Sequence, residues 1–194
     1  VLNYGFWWKD YLNGIENIIG TAYVDNIIGD DNKNYIFGGA ENDVLSGGKG
    51  NDSLEGGAGN DLFKATSYDD GDDVIDGDAT TDSGVDTIDY SAITSTTYHL
   101  EVNLSSVTVG TISAGTSYIK STTTHQTDTL TNIENVTGTS GDDTFVGNSK
   151  DNIFDGGASG NDTVSYGNIT ATTTAITINL ETNTATGDGE DTLT

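Results

Sequence analysis

Carboxylates recur in this chain at a fixed interval: Asp25, Asp43, Asp52 and Asp61 lie nine residues apart or a multiple of nine, with Asn34 filling the gap in phase. Each follows a turn-forming, glycine-rich run. Glycine permits positive φ and close backbone approach, so such a peptide is free to curl with its carbonyls inward. Carboxylates and carbonyls gathered in this way suit a hard cation, and calcium takes about six to eight oxygens at roughly 2.3–2.6 Å. Catalysis is poorly served. His99 and His125 are the two histidines, each in a Thr-rich stretch without a nucleophile elbow or a zinc pattern. Acid/base work by paired carboxyls needs one with a raised pKa, whereas aspartates around a dication stay ionised. The expectation is a binding or structural chain, not an enzyme.

The elements that must position these carboxylates follow the same period. From Gly20 the chain divides into five consecutive nonamers: GTAYVDNII, GDDNKNYIF, GGAENDVLS, GGKGNDSLE and GGAGNDLFK. Position 1 is always Gly, position 6 is Asp or Asn, and position 8 is always apolar. Two looser copies carry Asp73 and Asp86, the second around a four-residue insertion at Thr80–Ser83, and three more start at Gly138, Gly147 and Gly156. Six residues of each copy are turn formers and three suit a short strand. A fixed period of this kind specifies a stacked repeat architecture. Position 8, comprising Ile27, Ile36, Leu45, Leu54, Phe63, Ile75, Ile88, Phe145, Phe154 and Val164, is expected to face inward between two sheets.

These copies resemble the calcium-binding nonapeptide GGxGxDxUx of the RTX (repeats-in-toxin) proteins. The resemblance covers about half of the chain, and what it implies is a fold: all-β, a parallel β-roll (a β-helix or solenoid) of stacked short strands with calcium bound in the turns, interrupted by longer strand segments. Nine residues make half a coil, so turns n and n+2 share an edge. The implied pairs are Asp25 with Asp43, Asn34 with Asp52, Asp43 with Asp61, Asp52 with Asp73, Asp61 with Asp86, and Asp143 with Asp162. In the best-formed run, Gly38–Lys64, the implied calcium set also takes Gly38, Ala40 and Asn42, then Gly47, Lys49 and Asn51, then Gly56, Ala58 and Asn60. Some copies depart from the motif. Tyr23, Asn32, Glu41 and Lys150 stand at position 4, where Gly is expected and positive φ is costly for most residues. Asn34 and Asn152 lack charge at position 6, so the sites they share should bind weakly or stay empty.

Composition agrees with an ion-dependent fold. The 194 residues include 31 Asp or Glu and 6 Lys, with no Arg, for a formal charge of −25. Nucleic acid and anionic lipid need clustered Lys or Arg and are excluded as partners. No apolar run approaches the roughly 20 residues of a membrane-spanning helix, and no cleaved-signal pattern is present. There is no Cys, hence no disulfide or thiolate metal site, and no Pro or Met. Hydrophobic content of 33% with high net charge is near that of disordered chains. One apolar side chain per nine residues is too little burial to offset the backbone entropy of ordering nine, so a bound cation is expected to contribute folding free energy.

The division expected is 1–19, an aromatic tail of a preceding repeat; 20–89, the first calcium-binding block; 90–137, a connecting strand segment; 138–166, a second block; and 167–194, a strand segment of the next unit that stops mid-repeat. IENIIG recurs as IENVTG, TIDYSAIT as TVSYGNIT, and TDTLT as EDTLT. Leu100, Val102 and Leu104 alternate with Glu101 and Asn103 as in a half-buried strand, and Ile176, Ile178 and Leu180 repeat that pattern. Such strands are expected to extend or flank the same sheets, giving longer coils than the nonapeptide ones. Tyr4, Phe6, Trp7 and Trp8 suit an end cap or a sugar-stacking platform, while Asp10 and Leu12 align with Asp128 and Leu130. Asp76, Asp78 and Asp82 crowd the insertion without the Gly and Glu of an EF-hand. The RTX resemblance further implies a calcium-dependent module of a secreted or bacterial cell-surface protein, of adhesin, S-layer or toxin type. It would be exported unfolded by the type I secretion machinery and stacked against neighbouring repeats. The alternatives are a module carried by a secreted alginate epimerase, protease or lipase, or a sugar- or ice-binding solenoid, for which the Thr residues lack an in-register ladder.

Overall fold

A computed structural model of the chain describes residues 13–78, 84–120, 125–167, 176–180, 183–186 and 190–194. The described residues form strands and no helix, arranged as two nine-stranded sheets. Each nonapeptide supplies one short strand and a turn that carries the chain across to the other sheet. The first sheet therefore takes β1 (Asn17–Ile19), β3 (Tyr35–Ala40), β5 (Ser53–Ala58) and β7 (Val74–Asp76). The second takes β2 (Asn26–Ile28), β4 (Val44–Ser46), β6 (Leu62–Lys64) and β8 (Thr87–Asp89). All these neighbours are parallel, and the register steps by two repeats: Tyr35 opposes Ser53, and Val44 opposes Leu62.

Successive side chains of a strand point to opposite faces, so the middle residue of each three-residue strand enters the space between the sheets. Ile36, Leu45 and Phe63 are wholly inaccessible, and Leu54, Ile75, Ile88, Phe145 and Phe154 are buried with them. The rings of Phe145 and Phe154, on opposite sheets, stack with centroids 5.3 Å apart. Ile27 and Val164, at the two ends of the roll, are half-buried against the same core. The all-β parallel roll that the RTX resemblance implies is the fold.

The connecting segment departs from the expected longer coils. β9 (His99–Asn103), β10 (Thr116–Lys120) and β11 (His125–Thr131) form an antiparallel meander inserted into the first sheet, with β11 parallel to β7 on one side and β9 parallel to β13 (Thr144–Val146) on the other. The segment lacks the Gly-Asp turn that makes a half-coil; instead it reverses direction at a Val109–Ile112 bridge, beside Gly110 in the left-handed region. Leu100 and Val102 are buried as the alternation requires. Asn103 does not face solvent: it is buried, donating to the carbonyls of Val107 (2.9 Å) and Ile112 (3.1 Å), and thereby holds the reversal. Tyr90 fastens the meander to the roll. Its buried hydroxyl donates to Asp128 (2.7 Å) and lies 2.6 Å from that of Ser117.

The pattern then repeats. β12 (Asn135–Thr137) lies between β8 and β14 (Ile153–Asp155) in the second sheet, and β13 pairs with β15 (Thr163–Ser165) in the first. A second meander, β16 (Thr177–Asn179), β17 (Thr184–Thr186) and β18 (Glu190–Leu193), joins β14, which puts it in the second sheet. The meander therefore changes sheets from one unit to the next. Ile178 and Leu180 are 52% and 74% exposed, against the half-buried pattern expected, because β16 is an edge strand. The aromatic start through Leu12 and the insertion at Thr80–Ser83, with Asp82, lie outside the described residues, as does the side chain of His125.

Replacing a filled core position should cost most where no rearrangement can close the gap. Phe63→Ala should lower stability by about 3–5 kcal/mol, read as the urea midpoint, while exposed Ile19→Ala should stay within about 0.5 kcal/mol.

Candidate metal centre

At the start of six nonapeptide strands the position-6 residue turns its backbone amide toward the next coil, where a carboxylate receives it. The amides of Asp25, Asn34, Asp43, Asp52, Asp61 and Asp143 donate to Oδ1 of Asp43, Asp52, Asp61, Asp73, Asp86 and Asp162, at 2.7–2.9 Å. These are the six n, n+2 pairs that the RTX resemblance implies. The result is two files of acidic side chains, one along each edge of the roll. The files run on into the connecting segments: Asp73 donates to Asp128 (3.1 Å), Asp86 to Glu134 (3.0 Å), Leu100 to Asp143 (2.8 Å) and Asn152 to Asp191 (3.1 Å).

Stacking like charges out of water is unfavourable. Asp43, Asp52, Asp61, Asp86 and Asp143 are at most 2% exposed. Burial pushes the carboxyls of Asp43, Asp52 and Asp143 above their usual range. It lifts Asp128 to about 6, Asp86 to about 7 and Asp73 to about 8, and neighbouring carboxylates add to the shift.

The second carboxylate oxygen divides the turns into two kinds. In four turns whose position 2 is Thr, Asp or Asn, the turn caps itself. The position-6 side chain accepts the position-2 amide, from Thr21 to Asp25 (2.6 Å), Asp30 to Asn34 (2.8 Å), Thr139 to Asp143 (2.7 Å) and Asn148 to Asn152 (3.1 Å). The position-2 side chain in turn accepts the position-4 amide of Tyr23, Asn32, Gly141 or Lys150. Tyr23, Asn32 and Lys150 consequently need no left-handed backbone; of the four departures at position 4 only Glu41 adopts one, at φ +69°. Where the turn opens Gly-Gly, position 2 is itself left-handed, as at Gly48 (φ +95°), and the cap is missing. Oδ2 of Asp43 and of Asp52 are then buried with no hydrogen-bond partner, and that of Asp86, whose turn opens Gly77-Asp78 around the insertion, is buried without one as well. The glycine at position 1 has a different role from the one at position 2. A methyl group on Gly47 would fall onto the Asp52 carboxylate, and one on Gly38 onto that of Asp43.

The open turns fit a hard cation. Orphaned anionic oxygens of Asp43, Asp52 and Asp86 sit against main chain, and the Gly56 carbonyl approaches Gly38 across the coil step. No three His, Asp or Glu side chains converge among the described residues, so the donors would be carboxylates from neighbouring coils completed by main-chain carbonyls. A bound dication would supply the charge that offsets the buried carboxylates. The side-chain oxygens of Asn42, Asn51 and Asn60 are occupied: they accept the amides of Asn60, Asp72 and Val85 (2.9, 3.3 and 3.0 Å), a second ladder beside the first. Any metal role for these residues falls to their backbone carbonyls. Ala40 and Lys49 hold the turn through amides donated to Thr21 and Asp30 of the preceding coil (both 3.1 Å), and Ala58 pairs with Ala40.

The period alone did not reveal Glu134, which is buried in the file and neutralised from within the chain. Its partner is the ammonium of Lys150, the residue that replaces glycine at position 4 two half-coils on. The repeated IEN and DTLT strings are the signals that place Glu134 and Asp128 in the files.

Residues 11–45, 38–65 and 137–168 match the family model of the RTX calcium-binding nonapeptide repeat (4 copies). No curated protein matches the chain.

Asp52→Asn keeps the oxygen that receives the Asn34 amide and removes the orphaned charge, so it should raise the calcium concentration needed for folding in a circular-dichroism titration. Asp25→Asn, in a self-capped turn, should shift it much less. Without calcium the pH dependence runs the other way from that of an ordinary acidic protein. Unfolded Asp titrates near about 3.9, below the folded values of Asp73, Asp86 and Asp128. The folded state thus holds protons that the unfolded state releases, and stability falls as pH rises from about 4 to 8. The calcium-stripped chain should show more β signal and a higher Tm at pH 5 than at pH 8.

Proposed function

Since this chain carries the RTX calcium-binding nonapeptide repeat, we propose that it is a calcium-dependent folding module of a secreted or cell-surface protein of adhesin, S-layer or toxin type, exported unfolded through a type I system. The observation that carries this reading is the pair of buried carboxylate files with orphaned oxygens at Asp43, Asp52 and Asp86. Where calcium is scarce, mutual repulsion and the cost of burying ionised carboxylates keep the chain open. Where calcium is abundant, each ion that binds only the folded roll adds RT ln(1 + [L]/Kd) to its stability. Several weak sites then act together, because each ion would bridge coils that are ordered jointly. The roll itself carries out no chemistry in this reading: its perturbed carboxyls are engaged within the files by backbone amides and, at Asp128, by the hydroxyls of Tyr90 and Ser117.

Far-UV circular dichroism of the chain in EGTA and in millimolar calcium tests the proposal. The expected result is a β spectrum in calcium and a largely disordered one in EGTA; equal β signal in both would overturn it. Attachment to a secreted enzyme is compatible with the same module and would be decided by activity assays on the longer protein.

A further inference from the structure

One buried carboxylate in the roll is surplus to the amide ladder. Asp43 and Asp61 lie 18 residues apart along one edge, whereas Asp52 and Asp73 lie 21 apart along the other. The turn before Asp73 is therefore three residues longer than the nonapeptide requires. In a self-capped turn one side chain caps the turn and also receives the amide of another coil: Asp143 accepts from both Thr139 and Leu100. The longer turn divides these tasks. Asp73 receives the Asp52 amide (2.8 Å), while Oδ2 of Asp70 does the capping, accepting the amides of Thr66 (2.7 Å) and Ser67 (3.3 Å). A cap needs no charge, as Asn34 and Asn152 show, yet a carboxylate stands here and is only 2% exposed. Among the described residues no ion pair reaches it.

The connecting segment supplies a second oxygen beside it. Gln126 and Asp128 are two residues apart on β11, so they share a face, and both are buried. Nε2 of Gln126 donates to Oδ1 of Asp70 (2.6 Å). That bond sets which way the amide is turned, because the carboxylate is the acceptor. Oε1, on the same carbon as Nε2, is thereby held next to the Asp70 carboxylate, and it is buried with no hydrogen-bond partner. An amide oxygen left in this way is costly. The surroundings are negative as well: the Asp70 charge adds to the effect of burial in pushing up the carboxyls of Asp52, Asp73 and Asp128.

We propose that the Asp70 carboxylate and Oε1 of Gln126 form a further calcium site, separate from the nonapeptide turns, that ties the connecting segment to the roll. A carboxylate and an amide oxygen are the donors a calcium ion takes, with main-chain carbonyls to complete its shell. Calcium is favoured over magnesium, which keeps several of its waters, because both donors are buried. The site lies outside the stretches that match the nonapeptide family, which break off at residue 65 and resume at 137. It joins a turn of the first block to a strand 56 residues further on, beside the pairing of β11 with β7. Docking of the β9–β11 meander onto the roll then depends on an ion, as the coils do. The inference rests on the calcium reading above only in taking calcium as the ion.

Two substitutions in the full chain separate a cation contact from a purely structural one. Gln126→Glu keeps an oxygen, loses the Nε2 donor and places a second carboxylate against Asp70. With an ion between them it should lower the calcium midpoint of folding, read by far-UV circular dichroism; without one the added repulsion raises that midpoint. Asp70→Asn keeps an oxygen for the Thr66 and Ser67 amides and should bind a single calcium fewer than the parent at saturation in equilibrium dialysis. Asp69→Asn makes the same change of charge at an exposed neighbour and should bind as many ions as the parent. An equal or raised midpoint for Gln126→Glu, or its failure to fold in millimolar calcium, overturns the site, and so does a parental ion count in Asp70→Asn. If Asp70→Asn does not fold, the Gln126→Glu midpoint decides. Equal β signal in EGTA and in calcium for the parent would overturn the folding role proposed above, and the ion counts would then decide this site by themselves.

Discussion

The roll depends on one contact made many times: a backbone amide at the start of a strand donating to a carboxylate one coil further on. A half-coil turn leaves that amide without a carbonyl partner, and an unpaired buried amide is costly. A carboxylate satisfies it better than a neutral acceptor would, but it brings a negative charge into a place where the previous and following coils have already brought theirs. Everything distinctive about the chain follows from that conflict. Glycine at position 1 leaves room for the carboxylate, the apolar residue at position 8 is nearly all the core that can be spared, and the charge that accumulates along each file must be met from elsewhere.

The molecule meets it in three ways. In self-capped turns, Asp25 and Asp143 are turned back on the amides of Thr21 and Thr139, and Asn34 and Asn152 do the same with no charge at all. At Glu134 the counter-charge is a lysine carried by the chain. In the Gly-Gly turns neither device is present, and an anionic oxygen is left for a cation. The roll is accordingly not uniform in its need for metal: coils at the start of each block are largely self-sufficient, and the demand concentrates in the stretch containing Asp43, Asp52 and Asp86. Coils ordered early in this way would present half of each open turn to the ion.

Most of this architecture was legible in the sequence because a strict period leaves little to tertiary context. Once Gly, Asp and an apolar residue keep phase, the RTX resemblance implies the pairing of Asp43 with Asp61 and the inward aim of Leu45. What could not be read depended on contacts between residues far apart in sequence or on which of several oxygens is used. Lys150 looked like a defect until Glu134 was found beneath it. Tyr23, at a position where Gly is expected, needs no strained backbone because Thr21 provides a turn that avoids it. The antiparallel path of β9–β11 was hidden because alternation of Leu100 and Val102 specifies a face and not a direction. Ile178 was misjudged because burial belongs to the neighbour as much as to the residue.

Short parallel strands stacked in register are the geometry of amyloid, and the edge strands of the described residues share it. The carboxylate files change what those edges accept. A strand arriving at β15 or β1 must bring an acceptor for a waiting amide and glycine where a methyl would collide, and it adds another negative charge to a row that already repels it. An arbitrary hydrophobic segment meets none of these conditions. The same acidic rows that make the fold dependent on a counter-ion therefore guard it against indiscriminate aggregation, which suits a protein that carries many such strands at high local concentration.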